Sequence, residues 1–426
     1  MMVHFSRFWK RFSLLMMLGL LMSWLISCGN PNPTSEAGAE GTQEIEFWTM
    51  QLQPDFTDYF NTLIAEFEAE NPDITVRWVD VPWGDMQSKI LTAVSAGTAP
   101  DVVNLNPDFA SQLAGKQAWL PLGDRVPEAD KSLYLDKIWQ ANTLNGDSFG
   151  LPWYLTTRVT LYNQSLFESA GLTEPPATYA ELAVAAEKIR AATGKYAFFI
   201  SFVPEDAADV LQSFVQMGVP LVDENGDAAF DTPEGRAVFQ YWTDLYQQEL
   251  LPREVLTQGH RRAVELYQAG ETAILASGAE FLSTIEKYAP DIAAQITGDT
   301  GKKNVAVMNL VIPRSTDAPE AALKFALYVT NDDNQLSFAK AANVLPSTAA
   351  ALTDSYFTEP PADAEPVTLA RSVSAGQMAD AEVLIPAMED VKTLQKAIYT
   401  NLQAAMLDQK TVDQAVTDAA AEWNAR

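Results

Sequence analysis

Apolar and polar positions alternate along Ile45-Glu46-Phe47-Trp48, which predicts a short strand. Phe56, Phe60, Leu63, Ile64 and Phe67 then recur at three and four residues, placing them on one face of a helix. Asn71-Pro72 ends that helix, because proline cannot continue the hydrogen-bond ladder. Ile74, Val76 and Trp78 alternate with Thr75 and Arg77 and predict a second strand. A second helix is expected near Asp85 to Ala96, with Met86, Ile90, Leu91 and Val94 inward and Gly97 as its stop. Pro100-Asp101-Val102-Val103 opens a third strand. Strand, helix, strand, helix, strand is the order of an α/β unit with a parallel sheet covered by helices.

Further along, Thr178 and Glu181 have capping-box spacing ahead of Leu182, Ala185, Ala186 and Ile189, and Gly194 stops that helix. Asp223 to Asp227 lacks the twelve-residue ligand pattern of a calcium loop, so Asn225-Gly226 is expected at the tip of a turn between short strands. From Asp380 onward, Val383, Met388, Val391, Leu394, Ile398 and Leu402 fall at helical spacings, so the C-terminal end is expected to be helical. No internal repeat is present.

The N-terminus carries Arg7, Lys10 and Arg11 before the apolar run Leu14 to Ile26. That run is too short to span a bilayer, which needs about 20 apolar residues. Leu25-Ile26-Ser27-Cys28-Gly29 follows and contains the sole cysteine of the chain, which excludes an internal disulfide. The stretch resembles a lipoprotein signal peptide, residues 1–28, whose lipobox ends at Cys28. A thiolate there can take up a diacylglycerol, and two or three acyl chains anchor stably at about 0.8 kcal/mol per buried methylene. The alternative is an uncleaved anchor helix with a buried free cysteine. Residues 29–43, rich in Pro, Ser, Gly and Glu, read as a flexible tether.

Behind the tether, roughly 400 residues suggest two domains. The formal net charge of −28 repels nucleic acid and anionic surfaces, so no nucleic-acid partner is expected. Of two histidines, His4 lies in the leader, and His260 precedes Arg261 and Arg262 in a polar stretch that reads as solvated. No Ser-His or Cys-His pair and no His/Cys zinc cluster can be assembled, so neither metal nor cofactor is expected. Paired carboxylates remain open.

Several stretches line up with one family. They include Phe67-Glu68-Ala69-Glu70-Asn71-Pro72, Ala96-Gly97-Thr98-Ala99-Pro100-Asp101-Val102-Val103 and Gly150-Leu151-Pro152-Trp153. Leu166 to Leu172, Pro176 to Leu182, Gly270 to Ile274 and Asn309 to Pro313 complete the series. In order and spacing they resemble the extracellular solute-binding proteins of ABC importers, in the sugar-binding cluster that includes maltose-binding protein. The resemblance implies a periplasmic-binding-protein-like α/β fold, with two lobes joined by a multi-segment hinge and a ligand cleft between them. The first lobe would comprise 44–155 and about 265–345, the second about 156–264 and 346–426. Crossings are expected near 151–160, 250–275 and 310–345. The implied partners are a sugar, the membrane permease of the importer and the membrane itself through the lipid anchor. The implied state is a monomer without enzymatic activity, on the periplasmic or outer face of the cell membrane.

Sugar hydroxyls need planar donors and acceptors, sugar C–H faces need flat aromatics, and α/β sites lie beyond strand ends. Trp48 and Gln51 follow the first strand; Asn106 and Asp108 follow the third. Asp108 occupies the position where related sugar binders place a ligand aspartate, or else caps the helix that follows. Trp153 and Tyr154 are a candidate stacking platform, with core packing the alternative. Arg158 could hold a hydroxyl or carboxylate, or form a structural salt bridge. Glu280 and Phe281 stand where relatives carry a tryptophan, and Asn309 follows Val307-Met308, where relatives carry small glycines. Competing functions are an extracytoplasmic glycoside hydrolase using two carboxylates and a ligand-binding subunit of a sensor.

Overall fold

The computed structural model describes residues 42–204, 206, 208–278, 302–361, 364–385 and 387–426, and the backbone of 294–298. The lipobox Cys28, the leader and most of the tether lie outside these residues, as do Glu280 and Phe281. Ten strands are described: β1 (Gln43–Met50), β2 (Ile74–Val81), β3 (Val102–Leu105), β4 (Thr143–Leu144), β5 (Asp147–Ser148), β6 (Leu151–Asn163), β7 (Ile274–Gly278), β8 (Ala294–Gly298), β9 (Val305–Val311) and β10 (Leu345–Pro346).

In β1 the alternation is real. Ile45, Phe47 and Thr49 are fully buried, while Glu46 and Trp48 face the other way. Phe47 packs edge-on against Phe325, 5.2 Å between ring centres, and lies 6.1 Å from Phe60. The helix Thr57–Glu70 supplies Phe60, Leu63, Ile64 and Phe67 to this core, as its spacing predicts. The helix Trp83–Ala96 ends at Gly97, whose φ of 69° is left-handed and favours glycine. Thr178 and Glu181 form the expected capping box.

β1 is parallel to β2 and β3, but β3 pairs antiparallel with β9 and β9 antiparallel with β6, so the sheet is mixed rather than parallel throughout. Its order is β10-β6-β9-β3-β1-β2, with β7 and β8 also on β6. The 13-residue β6 is shared. Leu151 to Thr157 pair with β9, and Arg158 to Asn163 pair with β7 or β8.

Two hydrophobic cores follow from this division. Leu155 belongs to the first and Val159 to the second, so the strand passes between them at Thr156–Arg158. This crossing falls within the expected 151–160. The other expected crossings do not occur where the family pattern placed them: buried residues from Leu250 to Leu275 stay in the second core, and those from Leu310 to Leu345 stay in the first. The boundaries shift accordingly. Residues 265–275 pack in the second core, while Phe357, Met378 and Ala381 pack in the first. At the C-terminal end the helix starts only at Val391, and Glu382 instead bridges to Asn304 beside Val383.

Candidate functional site

A cleft of about 340 Å³ opens where β6 leaves one core for the other. Thr156, Thr157 and Arg158 of β6 and Val305, Ala306 and Met308 of β9 line it. The first core contributes Trp83, Asn106, Pro107 and Asp108; the second contributes Asp209, Gln212, His260, Ser277 and Gly278. Polar and apolar groups therefore face the same space from both sides.

Each wall has a local cause. Asn106 caps the helix Pro107–Ala114: its Oδ1 accepts from the Phe109 N–H at 2.9 Å, and Pro107 starts the helix without a donor to satisfy. The capping alternative considered for Asp108 thus falls to Asn106. Asp108 turns instead to Lys392, whose Nζ lies 3.5 Å from its Oδ2. Lys392 belongs to the helix Val391–Met406 of the second core, so this ion pair joins the two sides. Nearby, a Cβ placed on Gly115 would come within 2.0 Å of the Glu389 side chain, so the two sides also meet there.

Arg158 donates to Asp209 at 2.6 Å, and Asp209 is only 9% exposed. Arg158 thus forms the structural salt bridge considered for it, and it also lines the cleft. His260 corrects the solvated reading. It is half-buried, its Nε2 lies 3.1 Å from Ser277 Oγ, and its backbone N–H donates to Asp206 Oδ2 at 2.8 Å. Burial, and then the positive charge of Arg158, hold its pKa below the usual 6.5, against Asp209 and Asp206, which push it up. The imidazole is therefore neutral at neutral pH.

Four candidates lie elsewhere. Trp48 is inside β1, which continues to Met50, and its indole donates to Glu46 Oε1 at 2.6 Å. Trp153 is 1% exposed and stacks on Phe338 at 4.6 Å, within the first core. Tyr154 is buried beside it, 5.3 Å from the same ring. Asn309 is fully buried: its Oδ1 accepts from Asn142 and its Nδ2 donates to Val307 O at 3.1 Å. Gln51 sits one step outside the cleft, where its Oε1 accepts from the Trp83 N–H at 3.3 Å.

The aromatic surface missing from Trp153 is supplied by Trp83. It is 45% exposed and opens the helix Trp83–Ala96 directly beyond the end of β2. The rule that sites follow strand ends would have selected it, had it been applied to β2. Asp209, Gln212 and His260 carry no such signal, because only the fold brings the helix Asp209–Gln216 and the start of the helix His260–Gln268 to the cleft.

The profile of the bacterial extracellular solute-binding proteins matches residues 53–336. The chain belongs to this family. A protein from Synechococcus sp. MITs9220, provisionally described as an oligosaccharide periplasmic-binding protein and solved in complex with zinc, is 44% identical, with a TM-score of 0.83 over 89% of this chain and 98% of that one. The arabinooligosaccharide-binding protein of Halalkalibacterium halodurans is 27% identical over 68% of this chain and 67% of its own length. Maltose-bound MalE3 of T. maritima shares the fold, with a TM-score of 0.73 at 22% identity over 89% and 99% of the two chains. Among the described residues of this solute-binding protein, no group of three or more His, Cys, Asp or Glu side chains is placed to hold a metal. Membership makes the protein an extracytoplasmic binder rather than an enzyme. Among the described residues, the cleft carboxylates Asp108 and Asp209 are both held by cations.

Proposed function

We propose that this solute-binding protein captures a carbohydrate in the cleft between its cores and delivers it unchanged to an ABC permease, while anchored to the membrane through Cys28. The observation that carries the reading is the juxtaposition of a half-exposed Trp83 with the Arg158–Asp209 pair across one cleft. The indole face suits sugar C–H groups. Arg158, Asp209, Gln212 and Asp108 offer the donors and acceptors that hydroxyls require. Hydrogen bonds to charged groups net about 1.5–3 kcal/mol each, so three or more with one ring contact of about 0.5–1.5 kcal/mol reach the roughly −8 kcal/mol of micromolar binding. The relatives described as binding arabino-oligosaccharides and maltose support this solute class.

Mono- or disaccharides and glycosylated solutes fit better than a phosphorylated polyol, because the chain is strongly acidic. The lobes would close on the sugar by adjusting the Thr156–Arg158 crossing, presenting the permease with a distinct shape. The anchor is supported by the leader sequence. A thermal-shift screen against a sugar panel tests the solute class. A binder at 100 times its Kd stabilises the fold by about 2.7 kcal/mol. Silence across all saccharides defeats the carbohydrate reading. Globomycin-sensitive processing and palmitate labelling, lost in Cys28→Ala, test the anchor.

A further inference from the structure

A smaller cavity of about 80 Å³ lies behind the second wall of the cleft. Arg158, Asp209, Gln212 and His260 line both spaces, so the two adjoin at these side chains. Strand register creates the chamber. Arg158 and Thr160 share one face of β6, and their partners across the ladder are Gly278 and Ala276 of β7. Thr160 and Ala276 line the chamber, and the methyl group of Ala276 leaves space over the strand pair. Rings of Phe198 and Trp242 close the far side.

Two polar side chains in this lining have no hydrogen bond among the described residues. Thr160 is 2% exposed, and its Oγ1 has no hydrogen-bond partner among the described residues. The side-chain amide of Gln212 forms no hydrogen bond to a described residue either. By contrast, Trp242 donates to Ser213 Oγ at 3.0 Å and His260 meets Ser277. A buried hydroxyl without a partner is unfavourable, and a ligand group that bonds it removes the penalty.

Size restricts the occupant. One water needs about 10–15 Å³ of such volume, so the chamber has room for roughly five to eight waters, which accommodates an acetamide-sized group and is too little for a second hexose ring. The occupant must present an apolar end to the rings and both a donor and an acceptor to Thr160 and Gln212. We propose that this chamber is a substituent pocket for an acetamido group, whose methyl packs on Phe198 and Trp242, whose carbonyl accepts from Thr160 Oγ1–H and whose N–H donates to the Gln212 side-chain oxygen. The proposal rests on the carbohydrate reading of the cleft in one respect: it makes N-acetylated sugars the preferred cargo.

The experiment uses acetamide itself, so that the chamber and the cleft are judged separately. Saturation-transfer NMR on the purified protein should show transfer to the acetamide methyl. Ala276→Leu, which fills the chamber, should reduce that signal at least fivefold. Thr160→Val keeps the shape and removes the hydroxyl; it should weaken acetamide binding at least threefold and raise the melting temperature. It serves equally if Ala276→Leu does not fold. No transfer with the wild type, or equal transfer with a folded variant, overturns the chamber and leaves the carbohydrate cleft standing. Retained acetamide binding with no binder in the sugar panel overturns the cleft reading and leaves the chamber standing.

Discussion

Trp83→Ala removes the aromatic surface on which the carbohydrate reading depends. The residue is 45% exposed. For a side chain of about 250 Å² that leaves roughly 110 Å² accessible, of which a sugar ring on one face covers about half. At about 25 cal/mol per Å², covering that half contributes about 1.4 kcal/mol. An aromatic contact adds about 0.5–1.5 kcal/mol beyond area. The sum is about 2–3 kcal/mol, or roughly a 30- to 150-fold rise in Kd. Stability should change little, because alanine keeps the backbone N–H that meets Gln51, and losing an exposed side chain usually moves stability by no more than about 0.5 kcal/mol. Titration calorimetry with the best sugar of the panel, alongside urea unfolding, reads both quantities. An affinity within twofold of wild type in a normally folded Trp83→Ala protein would refute the argument, since the sugar would then not cover this ring.

Trp153→Ala should do the opposite: lose about 3–5 kcal/mol of stability in denaturant titration while the folded fraction binds as before. Asn309→Ala strands the Asn142 amide in the core and should cost about 1–3 kcal/mol in the same assay. Lys392→Met removes the ion pair across the cleft. At partial exposure such a pair contributes under about 1 kcal/mol, so the scattering radius of the ligand-free protein should rise slightly at low salt, and added salt should reproduce the effect in wild type. His260 has a pKa held below its ordinary 6.5 in the fold, so the unfolded chain takes up its proton first as pH falls. Its contribution to stability is complete above about pH 6.5 and is lost progressively below, and His260→Asn should flatten the melting temperature between pH 7 and pH 5.

The helix Thr57–Glu70 was legible because five apolar residues and a closing Asn-Pro are all local signals. The capping box at Thr178 was equally local. β6 was harder. Trp153 and Tyr154 suggested a stacking platform in the expected crossing, whereas the strand runs through Pro152 with a register irregularity between Pro152 and Tyr154. Once β6 is continuous, the Trp153 ring belongs to the core. Asn309 lies inside β9, where its side chain pairs with the Asn142 amide in the core. Asp108 was singled out because it follows the third strand, and Arg158 because it lies in the expected crossing. Their partners Lys392 and Asp209 are far along the chain, and only the folded backbone sets those distances. His260 looked solvated beside two arginines, yet the helix it opens turns its ring towards Ser277.

The most direct test of the central claim is a crystal structure of the protein with the strongest binder from the sugar panel. The account predicts an intact sugar lying against the Trp83 indole, with hydroxyls bonded to the Arg158–Asp209 pair. A sugar seated outside the cleft, such as in the surface groove by Tyr246 and Leu407, would contradict it.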